Sequence, residues 1–334
     1  MKKTKILLIF TGGTIVQVYD KKLGALRPAK NPRDILQIAP ELQDLFTIDY
    51  KFIANLDSSN IQPHHWTTIA EAVYKNYQQY DGFVITHGTD TMSYTASALS
   101  FALTNLGKPV VLTGAHLYPD APGSDAKNNL INAFHVASMN LAEVVIVFGS
   151  WILRGNRSAK KDEGSLETFW SPIFPELGRI RMDIELWKFS PKRNPNKIPI
   201  LQAGFEDHIM VFTTFPGLCP EFLDAIIERN AKGIIIRGFG PGNLPITDNS
   251  LITSIKACTK KNIPVVISSQ TAMGLTKISL YETGVAAQKL GVIPSEDMTI
   301  EATITKFMWV LNQTTDKEKI TALMHKNIAG EIHS

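Results

Sequence analysis

The sequence predicts an α/β protein of two α/β domains, a larger N-terminal domain with a mainly parallel sheet and a smaller C-terminal one. Three observations carry this. Short aliphatic or β-branched runs recur, each leading through a Gly/Thr/Ser-rich turn into a helical pattern, the order that gives a parallel sheet with helices on both faces. The stretch Leu186–Gly204, with W-K-F-S-P-K-R-N-P-N-K-I-P-I at its centre, breaks that rhythm with prolines and a cluster of Lys, Arg and Asn, as an exposed connection does. A second alternation of segments then begins.

Taken in order, Ile6–Phe10 is an apolar strand that runs into Thr11-Gly12-Gly13-Thr14. His65–Gln79 carries Ile69, Ala72, Val73 and Tyr77 at helical spacing. Gly82–Thr86 and Val110–Thr113 are strands followed by helical patterns over Met92–Leu106 and Asp125–Leu141, and Val144–Phe148 is a further strand. Beyond the connection come His208–Thr213, Pro220–Asn230, Gly233–Arg237, Asp248–Lys261 and Pro264–Ser268. Asp316–His333 mixes charges of both signs and reads as a solvated terminal helix. The expected domains are 1–188, holding the candidate catalytic residues, a linker over 189–207, and 208–334.

Composition narrows the function classes. Hydrophobic residues make up 44% and charged residues 19% of 334, enough for a sizeable core. A net charge of +3 leaves no electrostatic footprint for nucleic acid. Cys219 and Cys258 lack CxxC spacing and read as free core thiols of a reducing compartment. Met1-Lys2-Lys3 precedes an apolar run too short for a signal peptide, and no run approaches the ~20 residues of a membrane span. A cytoplasmic protein without a membrane partner is expected.

The chemistry collects at strand ends. Thr11-Gly12-Gly13-Thr14 could be a phosphate cradle, a tight turn or a strand-end nucleophile; it lacks the spacing of a P-loop or of a dinucleotide site. His87-Gly88-Thr89-Asp90-Thr91 stands at the carboxyl end of a second buried strand, where open parallel sheets bind ligands. Two threonines and an aspartate suit a nucleophile with a proton partner. An N-cap role would explain Asp90 alone, though not a Gly-Thr pair at two strand ends. Thr113-Gly114-Ala115, Asp57-Ser58-Ser59-Asn60 and the loop Arg154–Lys160 add further polar groups. His64-His65 has no ligand spacing and begins a helix, so neither a metal nor another cofactor is predicted.

Together T-G-G-T-I, D-S-S-N, H-G-T-D-T-M, T-G-A, S-D-x-x-x-N-L-x-N-A (Ser124 to Ala133) and R-G-N-R-x-x-K resemble the bacterial-type L-asparaginases. D-M-T-x-E-A-x-x-T-K, Asp297–Lys306, is similar to the cytoplasmic type I branch. The resemblance covers nearly the whole chain. It implies hydrolysis of L-asparagine to L-aspartate and ammonia, with Thr14 forming a β-aspartyl acyl-enzyme and Thr89, Asp90 and Lys160 as the second threonine, carboxylate and lysine. It implies that Asp57 and Ser58 hold the amino acid head group, that Ser59 and Gly88 also bind substrate, and that the Ala115 carbonyl meets the substrate amide. It also implies a homodimer or homotetramer, with Asn243 lying near a neighbouring subunit's site and Arg237 at an effector site.

The residue types fit that chemistry, because an α-ammonium and an α-carboxylate need buried acceptors and donors. Lys160 poses a difficulty: at an ordinary pKa of ~10.4 about one lysine in a few thousand is neutral at pH 7, so a base role requires burial to lower it. A coupled Thr89–Lys160–Asp90 relay is the expectation. The sequence departs from the family where Gly24-Ala25 stands in place of a mobile-loop Gly-Tyr, with Tyr19 read as a surface tyrosine, and at His116-Leu117 after T-G-A. Two rivals remain. An amidase subunit of a tRNA-dependent amidotransferase is expected to carry an added N-terminal domain before the nucleophile strand. A non-catalytic amino-acid sensor would not be expected to keep all four catalytic matches.

Overall fold

The computed structural model describes residues 3–20, 22–28 and 35–333. The chain forms two compact units, Met1–Ala203 and Gly204–Ser334.

The first unit is built on an eight-stranded sheet. Its strands are β1 (Thr4–Gly12), β2 (Phe46–Leu56), β3 (Gly82–Thr86), β4 (Val110–Thr113), β5 (Val144–Phe148), β6 (Trp151–Arg154), β7 (Gly178–Ile180) and β8 (Ile184–Leu186). They lie in the order β8-β7-β6-β5-β4-β3-β1-β2. The strands from β2 to β5 are mutually parallel and run 2-1-3-4-5; β6, β7 and β8 continue the sheet as an antiparallel arm. In this order the topological switch point, where ligands bind, falls between the carboxyl ends of β1 and β3.

Among the helices of this unit, besides the one-turn helices Ile35–Ile38 and Leu42–Leu45, are the longer α1 (Pro63–Asn76), α2 (Met92–Ala102) and α3 (Ala126–Ser138). Ile6, Leu8 and Phe10 of β1 join Val84, Val111 and Val145 in one core with Leu130, Ala133 and Phe134 of α3. The alternate residues Leu7, Ile9, Phe83 and Ile85 are buried as well, as in central strands covered on both faces. Each such side chain contributes about 1.5–3 kcal/mol by leaving water.

Two features depart from the sequence expectation. β2 carries no continuous apolar run because it is the sheet edge, with Tyr50 and Phe52 exposed, and it delivers Asp57 to the ends of its neighbours. Residues 189–203, expected within the connection, are hydrogen-bonded into the first unit. Ser190 Oγ donates to the Leu177 carbonyl, Arg193 N–H to Asn140 Oδ1, and Ile200–Leu201 pairs with Leu103–Thr104. Their many exposed side chains hide a backbone that is tied down, which composition does not reveal.

The second unit has a parallel sheet of β9 (Ile209–Thr213), β10 (Gly233–Gly238), β11 (Val265–Ser269) and β12 (Ile293–Pro294). Helices α4 (Glu221–Glu228), α5 (Ile252–Lys260), α6 (Glu282–Gln288), α7 (Ile300–Gln313) and α8 (Lys317–His325) pack with it. Leu223, Ile234, Ile236, Ile255, Cys258 and Ile267 share its core. Cys258 is the buried thiol expected; Cys219 is only half-buried, in the turn before α4.

The C-terminal tail also departs from expectation. α8 stops at His325, and the chain then turns inward: Lys306 Nζ and Glu331 Oε1 pair at 2.6 Å with both side chains fully buried. Lys306 also donates to the carbonyls of Met324 and Lys326. The mixed charges that read as a solvated helix thus include one half of an internal ion pair.

Candidate active site

The polar motifs converge because neighbouring parallel strands end side by side. Beyond β1 the chain reaches Gly13 at φ 91° and ψ 170°, a region open essentially to glycine alone. A Cβ there would lie 2.5 Å from the Gly88 nitrogen and 2.6 Å from the His87 carbonyl carbon. The backbone after β1 therefore touches the backbone after β3. Thr11 Oγ1 ties the same two ends by donating to the Thr86 carbonyl at 2.6 Å. Thr14, half-buried, then opens the 3-10 turn Thr14–Val16 at the switch point.

β2 brings its own end alongside. Asp57 caps the 3-10 turn Ser58–Asn60, and its carboxylate accepts from Ser59 N–H at 2.9 Å and Ser59 Oγ at 2.7 Å. These bonds, the backbone one foremost, hold the Asp57 carboxyl below its usual range, so it is a carboxylate at neutral pH. Ser58 is buried, and Gly88 packs so closely on it that a Cβ would meet Ser58 Oγ at 2.6 Å. Thr91 Oγ1 donates to the Ser58 carbonyl at 2.7 Å, joining the ends of β2 and β3.

Lys160 arrives from far along the sequence. After β6 the chain makes a 3-10 turn, Gly155–Arg157, held on α2 by Ser97 Oγ donating to the Gly155 carbonyl and by the Ser158–Ser93 hydroxyl contact. Since α2 begins just after Thr91, a loop packed on it lies beside Thr89 and Asp90. Lys160 Nζ donates to Thr89 Oγ1 at 3.2 Å and to Asp90 Oδ1 at 2.7 Å. Asp90 is therefore a partner of Lys160 rather than a helix cap: the N-cap residue is Thr91, and it makes no side-chain cap bond.

A third acceptor completes the ammonium's shell. Glu163 Oε2 lies 2.7 Å from Lys160 Nζ. Sequence reasoning missed it; its one signal is the three-residue spacing from Lys160. Burial pulls the Lys160 pKa down, but the hydrogen bonds and charges of Asp90 and Glu163 outweigh it and the net shift is upward. Burial thus fails to supply the neutral amine that a resting general base requires. Three acceptors around one nitrogen suit NH₃⁺, and Thr89 Oγ1, accepting from it, keeps its own hydrogen for another partner.

Ala115 follows β4 and is fully buried. Its loop is held by α3: the Asp125 carboxylate accepts from His116 N–H and Leu117 N–H, and Asn129 Nδ2 donates to the Gly114 carbonyl. The S-D-x-x-x-N spacing thus puts two buried polar side chains one helical turn apart, facing this loop. His116 Nδ1 is buried without a hydrogen-bond partner among the described residues. Tyr19, expected on the surface, is 46% exposed in the strand Gln17–Asp20 and stacks on Tyr118 at 6.1 Å. Gly24, where the resemblance expects a tyrosine next, lies with φ 62° just before the paired strand Ala25–Pro28.

In the second unit Asn243 ends a closed turn after β10: its N–H donates to the Phe239 carbonyl, and its Oδ1 accepts from Thr283 Oγ1 at 3.0 Å. Arg237 is half-buried on β10; its Nε has no hydrogen-bond partner among the described residues, and its charge acts on the buried carboxyl of Glu301. His65, set aside as a metal ligand, has Nδ1 accepting from Gln62 N–H at the start of α1.

Residues 5–191 match the family description "Asparaginase, N-terminal", and residues 208–324 match "Glutaminase/Asparaginase C-terminal domain". The chain belongs to the asparaginase family. Within the family it is similar to L-asparaginase of Thermococcus kodakarensis, 39% identical over 329 residues that span 98% of this chain and 99% of that one. A glutamyl-tRNA(Gln) amidotransferase subunit of Methanobrevibacter smithii is 36% identical over 342 residues, 99% of this chain and 77% of that protein. A solved thermostable L-asparaginase from Thermococcus kodakarensis superposes with a TM-score of 0.92 at 38% identity, covering 99% of this chain and all of that one. L-asparaginase I from Vibrio cholerae gives 0.90 at 33%, covering both chains fully. Among the described residues no helix is long and apolar enough to cross a membrane.

Proposed function

We propose that the protein hydrolyses L-asparagine to L-aspartate and ammonia through an acyl-enzyme on Thr14. The observation that carries this is the Lys160 ammonium bound to both Thr89 and Asp90 beside the strand end where Gly13 presses on Gly88. Thr14 Oγ attacks the side-chain amide carbon; the C–O bond forms, the C–N bond breaks, and the threonine proton leaves on the nitrogen as ammonia. Water then cleaves the ester, releasing aspartate and restoring the hydroxyl.

Lys160, fixed as a cation, orients the Thr89 hydroxyl and offsets developing negative charge; the proton relay runs through Thr89. The Asp57 carboxylate suits the substrate ammonium, and Ser58, Ser59 and the peptide of Gly88 line the head-group position. Such a pocket demands full pairing of both charges, which favours a free amino acid over blocked asparagine. The proposal extends to a cytoplasmic homo-oligomer in which the turn carrying Asn243 covers a neighbour's crevice, with Arg237 as the contact for an effector.

The test is ammonia release from L-asparagine by purified protein and its Thr14→Ala variant. The wild type should turn over and the variant should keep less than about a tenth of kcat; a variant above that level overturns the nucleophile assignment. A second reading is supported by the similarity to an amidotransferase component: the same amide chemistry, with ammonia passed to a partner protein. It predicts turnover that rises strongly only when such a partner is added.

A further inference from the structure

Behind Thr89 lies a buried polar chain. Trp66 of α1, Thr95 of α2 and His87 after β3 are 6%, 0% and 0% exposed. Trp66 Nε1 donates to Thr95 Oγ1 at 3.1 Å, Thr95 Oγ1 meets His87 Nε2 at 2.8 Å, and His87 Nδ1 meets the Gly88 carbonyl at 2.8 Å.

The hydrogens have one consistent assignment. A carbonyl only accepts, so Nδ1 carries the imidazole proton. Nε2 then accepts, so the Thr95 hydroxyl donates to it and its oxygen is left to accept from the indole, which only donates. Burial pushes the His87 pKa down to about 4, so the ring stays neutral in this tautomer at working pH. Every polar atom in the chain is used, and the chain ends on one peptide group.

That peptide is Gly88–Thr89. Its carbonyl is pinned toward the buried ring, and in a trans peptide the N–H points to the opposite side, away from the ring. The Thr89 N–H has no hydrogen-bond partner among the described residues. We propose that His87 is a positioning residue which, through the Gly88 carbonyl, aims the Thr89 N–H at the oxygen of the reacting amide. The inference rests on the hydrolase reading above. The Gly88 carbonyl fixes the tautomer, and Thr95 and Trp66 hold the ring from two helices, so the donor is ordered before substrate arrives.

The experiment separates the two halves of the chain. Asn places an amide nitrogen where Nδ1 lies, so His87→Asn keeps the Gly88 bond and loses the Thr95 bond. Gln reaches the Nε2 position, so His87→Gln does the reverse. Losing a whole oxyanion donor lowers kcat by about 10²–10³. His87→Gln should approach that, with about a tenfold to hundredfold loss in kcat and KM within about twofold, while His87→Asn stays within about fivefold of wild type. If the histidine serves packing alone, Gln, nearer in length, performs as well as Asn or better, and the proposal fails. Nitrogen NMR of the wild type gives an answer independent of variant folding: His87 should hold the neutral Nδ1–H form from pH 5 to 8, and an Nε2–H form overturns the proposal. Should the wild type not hydrolyse L-asparagine, the functional reading falls, while the tautomer measurement still decides the geometry.

Discussion

Gly13→Ala is the sharpest test of how the site is assembled. At φ 91° and ψ 170° an alanine is strained by about 1–3 kcal/mol. Its Cβ would stand 2.5 Å from the Gly88 nitrogen, where ordinary contact begins at 3.4 Å. Relief therefore needs a shift of about 0.9 Å (3.4 − 2.5) between the ends of β1 and β3. Both sides of the contact are backbone, so no side chain can swing aside, and overpacking adds about 1–3 kcal/mol. The sum, roughly 4 kcal/mol, corresponds to a Tm lower by about 10 °C for a unit of this size. In molecules that remain folded, a displacement near 1 Å between Thr14 and Thr89 should cost about a hundredfold in kcat. Differential scanning calorimetry and ammonia release measure the two effects. A variant within about 2 °C of the wild-type Tm and within about threefold of its kcat would refute the claim that this contact assembles the site.

Thr89→Val and Lys160→Met should each lower kcat strongly, and the double variant should cost little more than either alone; fully additive losses would show independent action. His87 gives a pH signature. Its folded pKa lies near 4, below the usual 6.5, so the unfolded chain takes up a proton first. Stability is unaffected above about pH 6.5, and about 3 kcal/mol is lost as pH falls toward 4. Denaturant midpoints of wild type and His87→Asn at pH 7 and pH 4 should differ by that extra loss, and equal losses would reject it. Lys306→Met leaves Glu331 buried without its cation and should destabilise by about 3–5 kcal/mol, read as a lower denaturant midpoint; a change under about 1 kcal/mol would mean that the pair is not sealed from water.

Local signals in the chain were sufficient for much of this. The runs Gly82–Thr86, Val110–Thr113 and Val144–Phe148 became strands with the expected bounds, because uninterrupted β-branched and aliphatic residues suit a strand buried on both faces. The polar motifs stood out because a parallel sheet concentrates ligand groups at strand carboxyl ends. The family, too, was legible, since several short motifs recur in order.

Only the tertiary structure decided how distant groups act on one another. β2 went unread as a strand because Phe46–Phe52 alternates apolar and polar residues instead of forming the continuous apolar run by which the other strands were recognised, yet it carries Asp57 to the site. Lys160 meets Thr89 and Asp90 across about seventy residues through a turn clamped on α2. Whether it is an amine or an ammonium depends on Glu163 and on burial, neither of which any local pattern encodes. Likewise His87 reads as one member of a strand-end motif; its ring is held between the Gly88 carbonyl and the Thr95 hydroxyl, which with Trp66 reaches it from two different helices. Strand identity follows from a few adjacent side chains, whereas protonation and orientation follow from the sum of fields and contacts that only the folded chain brings together.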